Sequence, residues 1–283
     1  KIYFQPLSNE TKAKMLIKTL EKYQTPHNLD LEYLVEFMGD VNGSFIKTYV
    51  NEAKIKMEIN GIEELQNDLL IQSIEFVNQG YSTPIKVSAE ELEQTIVHEA
   101  GHAAVALALY GHNAVVKIDV RNNNHSMGSV QLSSKLPKDN LTSILNYVKI
   151  SLGGLIAQKM MHQEAGLGAS SDIRKARSLL EATVVKNGLL DLKHSGAMMF
   201  PSMAGSGTEK SKDAAIDLTN EIIEQCQEDV ETILQNNLPL LNEIIEKLKE
   251  KPLLLKDDIV SLNLSTALME MKSEQYHIFL NKN

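Results

Sequence analysis

His98-Glu99-Ala100-Gly101-His102 restricts this chain more than any other stretch, because two histidines four apart share a face only if the backbone between them is helical. The flanks meet that requirement. Ser88-Ala89-Glu90-Glu91 has the pattern of a capping box, with Ser88 as N-cap and Glu91 at the third helical position. Leu92, Ile96 and Val97 continue an apolar stripe, Ala100 to Leu109 are small or apolar, and Gly111 supplies a stop. The spacing therefore predicts a helix buried on most sides, with two imidazoles one turn apart and Glu99 beside them. With eight histidines in 283 residues, chance produces this pattern in roughly one or two chains in a hundred.

Such a pair has two readings. It is either two partnered core histidines, or two ligands of a Zn²⁺ whose Lewis acidity acts on water and a scissile carbonyl while Glu99 carries the proton. The glutamate at this spacing favours zinc and peptide hydrolysis without a covalent intermediate. A catalytic zinc site needs a third protein ligand and one open position. His112, His125, His162, His194, Glu164, Asp172 and Asp191 are the downstream candidates. Asp172 closes Gly168-Ala169-Ser170-Ser171 and precedes an amphipathic segment from Ile173, so it, Ser170 or Ser171 reads equally as a helix N-cap. Spacing alone leaves the third ligand open.

The remainder reads as a mostly helical protein in two parts. Lys1 to Pro6 has the pattern of a short strand, and Glu10–Tyr23, Leu29–Met38, Gly43–Ile59 and Gly61–Val77 that of a helical subdomain. After the HExxH helix, Ala114–Arg121 and Ser129–Ser133 read as strands. Asn140–His162, Ile173–Lys186 and Lys212–Asn236 read as helices, and Phe200 to Ser211 as a Gly/Ser-rich mobile stretch. A net charge of -9 without a basic run argues against nucleic acid as a partner. No stretch reaches the ~18 to 20 apolar residues of a membrane span, and no signal peptide is evident. The lone Cys226, in a helical apolar stripe, reads as a buried structural thiol in a reducing compartment. The chain starts at Lys1 without methionine, which suggests an excised part of something longer.

His98 to Ala103, then Leu152-Gly153-Gly154, then Gly168-Ala169-Ser170-Ser171-Asp172-Ile173, in this order and at these separations, resemble the FtsH family of ATP-dependent membrane zinc proteases. The resemblance implies His98, His102 and Asp172 as zinc ligands and Glu99 as the catalytic base. It also implies a mainly α fold: the end of an AAA large subdomain over residues 1–8, a helical AAA lid over 9–80, and a mostly helical zincin-like peptidase domain with a small β-sheet over 81–283. Gly43-Ser44 and Val50-Asn51-Glu52-Ala53 carry the likeness to the lid, and Ile118 to Leu132 matches the family's edge strand. No G-x-x-x-x-G-K-[ST] loop occurs, so ATP and Mg²⁺ are expected only with an AAA core upstream. By resemblance the intact protein is a hexameric homo-oligomer acting on polypeptides, anchored in a membrane upstream of this part, which faces the cytosol or an organelle matrix.

Two departures mark a divergent member. Leu155-Ile156-Ala157-Gln158-Lys159 stands where the family usually has Arg followed by Ala-Ala-Glu-Glu, and Arg121 to His125 replaces a Pro-Arg-Gly turn. Neither is expected to touch the zinc ligands. Gly153-Gly154, in mid-helix, reads as a pair of structural glycines serving close helix packing. The competing functional class is a catalytically silent metal-binding assembly or chaperone platform, which has no use for a base at position 99.

Overall fold

The computed structural model describes residues 7–79, 88–121, 128–162, 169–182 and 209–264. The expected strand at Lys1 to Pro6, the asparagine-rich turn after Arg121, and residues 183–186 at the end of the helix expected from Ile173 lie outside these. So does the Gly/Ser-rich stretch up to residue 208. The chain packs as two compact units, within residues 1–86 with 121–127 and 87–120 with 128–283.

In the first unit, each of the first three helices begins at a side chain that accepts from its own first turn. Ser8 caps α1 (Asn9–Lys22), Asp30 caps α2 (Leu31–Phe37) and Asn42 caps α3 (Gly43–Asn60). The last helix, α4 (Asn67–Gln79), starts later than the predicted Gly61. Gly61 adopts φ 65° and terminates α3, a left-handed backbone that glycine takes without cost. Between them Leu65–Gln66 (β2) pairs in parallel with His27–Asn28 (β1), and Asn67 Oδ1 accepts from Asp30 N–H. Leu16, Leu20, Leu34, Ile46, Tyr49, Val50, Leu70 and Ile74 form the core. Lys12 is buried among them with its ammonium donating to the Val35 and Gly39 carbonyls.

The second unit is built around α5 (Ala89–Tyr110), the HExxH helix, which opens with the predicted Ser88–Glu91 capping box and ends at Gly111. Alanines and glycine from Ala100 to Ala106 let α6 (Leu141–His162) approach it closely. Gly101 and Gly153 face each other there, and a Cβ on Gly101 would stand 2.4 Å from the Gly153 carbonyl oxygen. Beside α5 lies a small antiparallel sheet in the order β4 (Ser129–Leu132), β3 (Val115–Asp119), β5 (Leu253–Leu254). Helices α8 (Glu209–Asn236) and α9 (Leu238–Glu250) close the core through Ile222, Cys226, Val230, Ile233, Leu241, Ile244 and Leu248. Beyond Asn236, where the expected helices end, the chain also forms α9, β5 and the short α10 (Lys256–Val260). Asn237 breaks the long helix and Pro239 sits in the first turn of the next.

One boundary bears on the site. α7 (Ala169–Leu180) begins at Ala169, so Ser170, Ser171 and Asp172 lie within its first turn. The expectation that one of them caps a helix starting at Ile173 is thereby corrected. Asp172 is the fourth helical residue. The architecture is mainly α with a small sheet, as expected, and among the described residues no helix is long and apolar enough to cross a membrane.

Candidate metal centre

One turn of α5 places His98 and His102 on the same face with rings edge-on, centroids 4.6 Å apart at 88°. Their Nε2 atoms are 3.0 Å apart. From the first turn of α7, Asp172 brings Oδ2 to 3.0 Å from His98 Nε2 and 3.4 Å from His102 Nε2. All three side chains are only 10–12% exposed. Among the described residues this is the one cluster of three His, Cys, Asp or Glu able to share an ion. Neighbouring ligand atoms of a tetrahedral zinc with bonds of about 2.0–2.1 Å stand roughly 3.3 Å apart, so this triangle has nearly the size such an ion demands.

The hydrogen atoms on the rings also suit a metal. His102 Nδ1 lies 2.6 Å from the Ile150 carbonyl oxygen, which only accepts, so Nδ1 carries the proton. The Gly154 N–H also points at that nitrogen from 3.3 Å, but the shorter contact to a pure acceptor decides the tautomer. On His98, Nδ1 faces Gln158 Oε1 at 3.3 Å, while the Gln158 amide nitrogen donates to the Gln94 carbonyl at 3.1 Å. That second bond orients the amide, so His98 Nδ1–H donates to Oε1. Both histidines thus hold their protons on Nδ1 and turn unprotonated Nε2 atoms toward Asp172 Oδ2. Lys175 Nζ, 2.9 Å from Asp172 Oδ1, occupies the other carboxylate oxygen. A dication among these three donors turns mutual repulsion into coordination, and each donor already has the outer partner that metal ligands usually keep.

Electrostatics agree with the geometry. Without a metal, burial works against a charged Asp172, yet once the imidazoles are protonated, Nε2–H groups of His102 and His98 donate to its carboxylate and hold it well below the ordinary range. Burial likewise disfavours charge on His102, but Asp172 and Glu99 raise its proton affinity, as negative surroundings suited to a cation should. Glu99, 7% exposed, has its pKa pushed up chiefly by burial, opposed by the nearby imidazoles. Gly128, the residue before the outer strand β4, lies directly against it: a Cβ there would stand 2.8 Å from Glu99 Oε1. This contact was not legible in the sequence.

Of the other ligand candidates, His112 Nε2 is bonded to the Leu262 carbonyl oxygen at 3.0 Å, and the side chain of His162 is not described. His125, His194, Glu164 and Asp191 lie outside the described residues. Two expectations need correction. Gln158, within the divergent Leu155–Lys159 stretch, does touch a candidate ligand. The paired glycines also divide their work: Gly153 packs against Gly101, whereas a Cβ on Gly154 would stand 2.6 Å from His98 Nδ1 and 2.7 Å from His102 Nε2.

A buried helix bearing His-Glu-x-x-His, joined by a carboxylate from a second helix in a mainly α body, defines the class of the HExxH metallopeptidases. Residues 85–262 match the model of Peptidase family M41, and the chain belongs to that family. It is similar to the ATP-dependent zinc metalloprotease FtsH of Marinobacter nauticus, 25% identical over 182 residues, covering 64% of this chain and 29% of the relative. The FtsH of Paraburkholderia phymatum is 24% identical over 273 residues, covering 89% and 41%. FtsH 3 of Phytoplasma mali is 24% identical over 260 residues, covering 91% and 42%. The chain thus spans less than half the length of these relatives, and the resemblance to the FtsH family stands.

Proposed function

We propose that this chain is the zinc endopeptidase part of an ATP-dependent protease, with His98, His102 and Asp172 as zinc ligands and Glu99 as catalytic base. The observation that carries the reading is the convergence of two Nε2 lone pairs and one carboxylate oxygen within 3.0–3.4 Å, each backed by its own hydrogen-bond partner. Zinc held there supplies Lewis acidity toward water and the scissile carbonyl. Glu99 takes a proton from the attacking water and returns it to the leaving amine. Its buried setting, which raises its pKa, suits it to both halves of that transfer. β4 follows directly on Gly128, which packs against Glu99, and as the outer strand of its sheet it would pair with an extended polypeptide main chain. Such pairing reads backbone rather than side chains, which fits unfolded substrates.

In this reading the first unit is the AAA helical lid. An upstream AAA core binds ATP and Mg²⁺, a ring of six copies feeds unfolded or membrane polypeptides to the peptidase sites, and the full-length protein is held at a membrane. A catalytically silent metal-binding platform is the alternative, and a buried glutamate beside the metal triad speaks against it, since burying a carboxylate costs stability that a platform has no reason to bear. The test is Glu99→Gln in the full-length, ATP-supplied protein. One zinc per subunit should remain, while cleavage of unfolded casein falls by about 10² to 10⁴-fold. Unchanged cleavage would exclude Glu99 as the base, and a wild-type protein without zinc would exclude the metal site.

A further inference from the structure

We propose that Gln158 is a positioning residue that sets the tautomer and ring orientation of His98, an inference that rests on the zinc site above. Its side chain is buried between α5 and α6, 4% exposed. The amide works in both directions. Nε2 donates to the Gln94 carbonyl at 3.1 Å, and Oε1 accepts from His98 Nδ1 at 3.3 Å. Gln94 and His98 are consecutive turns of one face of α5, so a single planar amide from α6 ties the imidazole to the backbone of its own helix. Ring rotation about the Cβ–Cγ bond would break the Nδ1 bond, and a proton on Nε2 would leave Nδ1 facing an oxygen with no hydrogen between them. Gln158 thereby keeps the Nε2 lone pair directed at the point where Asp172 Oδ2 and His102 Nε2 converge.

The three ligands are supported in different ways. His102 leans on the main-chain carbonyl of Ile150, and Asp172 on the exposed Lys175. Among the described residues, Gln158 is the one side chain that orients a ligand histidine by accepting from its Nδ1. A methionine at 158 would fill the same space and offer no comparable acceptor. A glutamate would still accept from Nδ1–H, while losing the donor to Gln94.

The experiment is zinc affinity by chelator competition on wild type, Gln158→Met and Gln158→Glu, with helix content checked by far-UV circular dichroism. Gln158→Met should bind zinc about 10 to 100-fold more weakly, as loss of an outer partner of a metal-bound histidine does, and Gln158→Glu should lie within about 10-fold of wild type. The reverse order, with methionine equal to wild type and the buried charge of glutamate weakening binding, would mean that Gln158 only packs the helices and would overturn the proposal. Should Gln158→Met fail to fold, Gln158→Asn takes its place. Its amide is one methylene short of spanning both partners, so at least a 10-fold loss is expected and wild-type affinity would overturn the proposal. A wild type that takes up no zinc defeats the proposed function itself, whereas zinc uptake equal in wild type and Gln158→Met defeats this inference alone.

Discussion

Gly154 lies directly against His98, so that a Cβ on the glycine would stand 2.6 Å from both Nδ1 and Cε1 of the imidazole. Its neighbour Gly153 meets backbone instead; a Cβ there would stand 2.6 Å from the Gly101 carbonyl oxygen on the facing helix. Two adjacent glycines on α6 therefore serve separate purposes, one clearing space for the two imidazoles and the other letting two backbones touch.

Alanine at each position separates these purposes. Gly154→Ala should displace the imidazoles and abolish zinc uptake, while the better helix propensity of alanine, about 1 kcal/mol, offsets much of the strain. Gly153→Ala meets backbone that cannot swing aside and should lower stability by about 1–3 kcal/mol or more. Thermal melts and zinc titration of the two variants check this, and equal zinc binding by Gly154→Ala and wild type would show that the rings do not need that space.

At the start of the same helix, Ser88 Oγ accepts from Glu91 N–H at 3.1 Å and Glu91 Oε2 accepts from Ser88 N–H at 2.8 Å. Ser88→Ala removes half of this box and should cost about 1 kcal/mol, read as a lower denaturant midpoint. Zinc affinity should stay unchanged, because Ser88 lies more than two turns before His98. The bonds from Ser88 lower the Glu91 pKa below its ordinary 4.5, so the box stabilises the fold above that pH and loses strength as pH falls through the folded value.

Burial raises the Glu99 pKa above its ordinary 4.5. A base must be deprotonated to act, so the acid limb of kcat/KM should fall above pH 4.5, with zinc content measured in parallel to separate it from metal loss. The stability consequence has the opposite sense from Glu91. Between 4.5 and the raised value the folded chain holds a proton that the unfolded chain has released, so this group's contribution falls as pH rises through that interval. A rate profile flat down to pH 4.5 at constant zinc content would contradict the assignment.

Cys226 lies fully buried on α8, and burial pushes its thiol up to about 12. At pH 8 it is protonated and enclosed, so a thiol reagent should modify no cysteine in the native protein and one after denaturation. Rapid reaction of the folded chain would show that α8 opens at this point.

Local patterns in the chain carried the parts of the site that lie within one helix. The Ser88–Glu91 box, the four-residue step from His98 to His102 and the stop at Gly111 are all relations over a few residues, and helical geometry converts them directly into caps and faces. Asp172 was harder to place, because the same Ser-Ser-Asp pattern that suits a ligand also suits a cap. The structure places Asp172 inside α7, three residues after its start at Ala169, with its carboxylate toward the two imidazoles. The helix from Leu238 carries an amphipathic stripe through Leu248 that the sequence displays, but the break at Asn237 hides its continuity with the long helix before it.

The sequence by itself determined that α5 would form, that it would be buried, and that two imidazoles and a carboxylate would stand on it at spacings suited to zinc. The tertiary structure alone decided that Asp172 closes the triangle, that Gln158 and the Ile150 carbonyl set the tautomers, and that Gly154 and Gly128 clear space for the rings and for Glu99. The physical reason is range. Backbone hydrogen bonding makes the relation between residues four apart a constant of the helix, whereas the distance between residues 98 and 172 depends on how every side chain between α5, α6 and α7 packs.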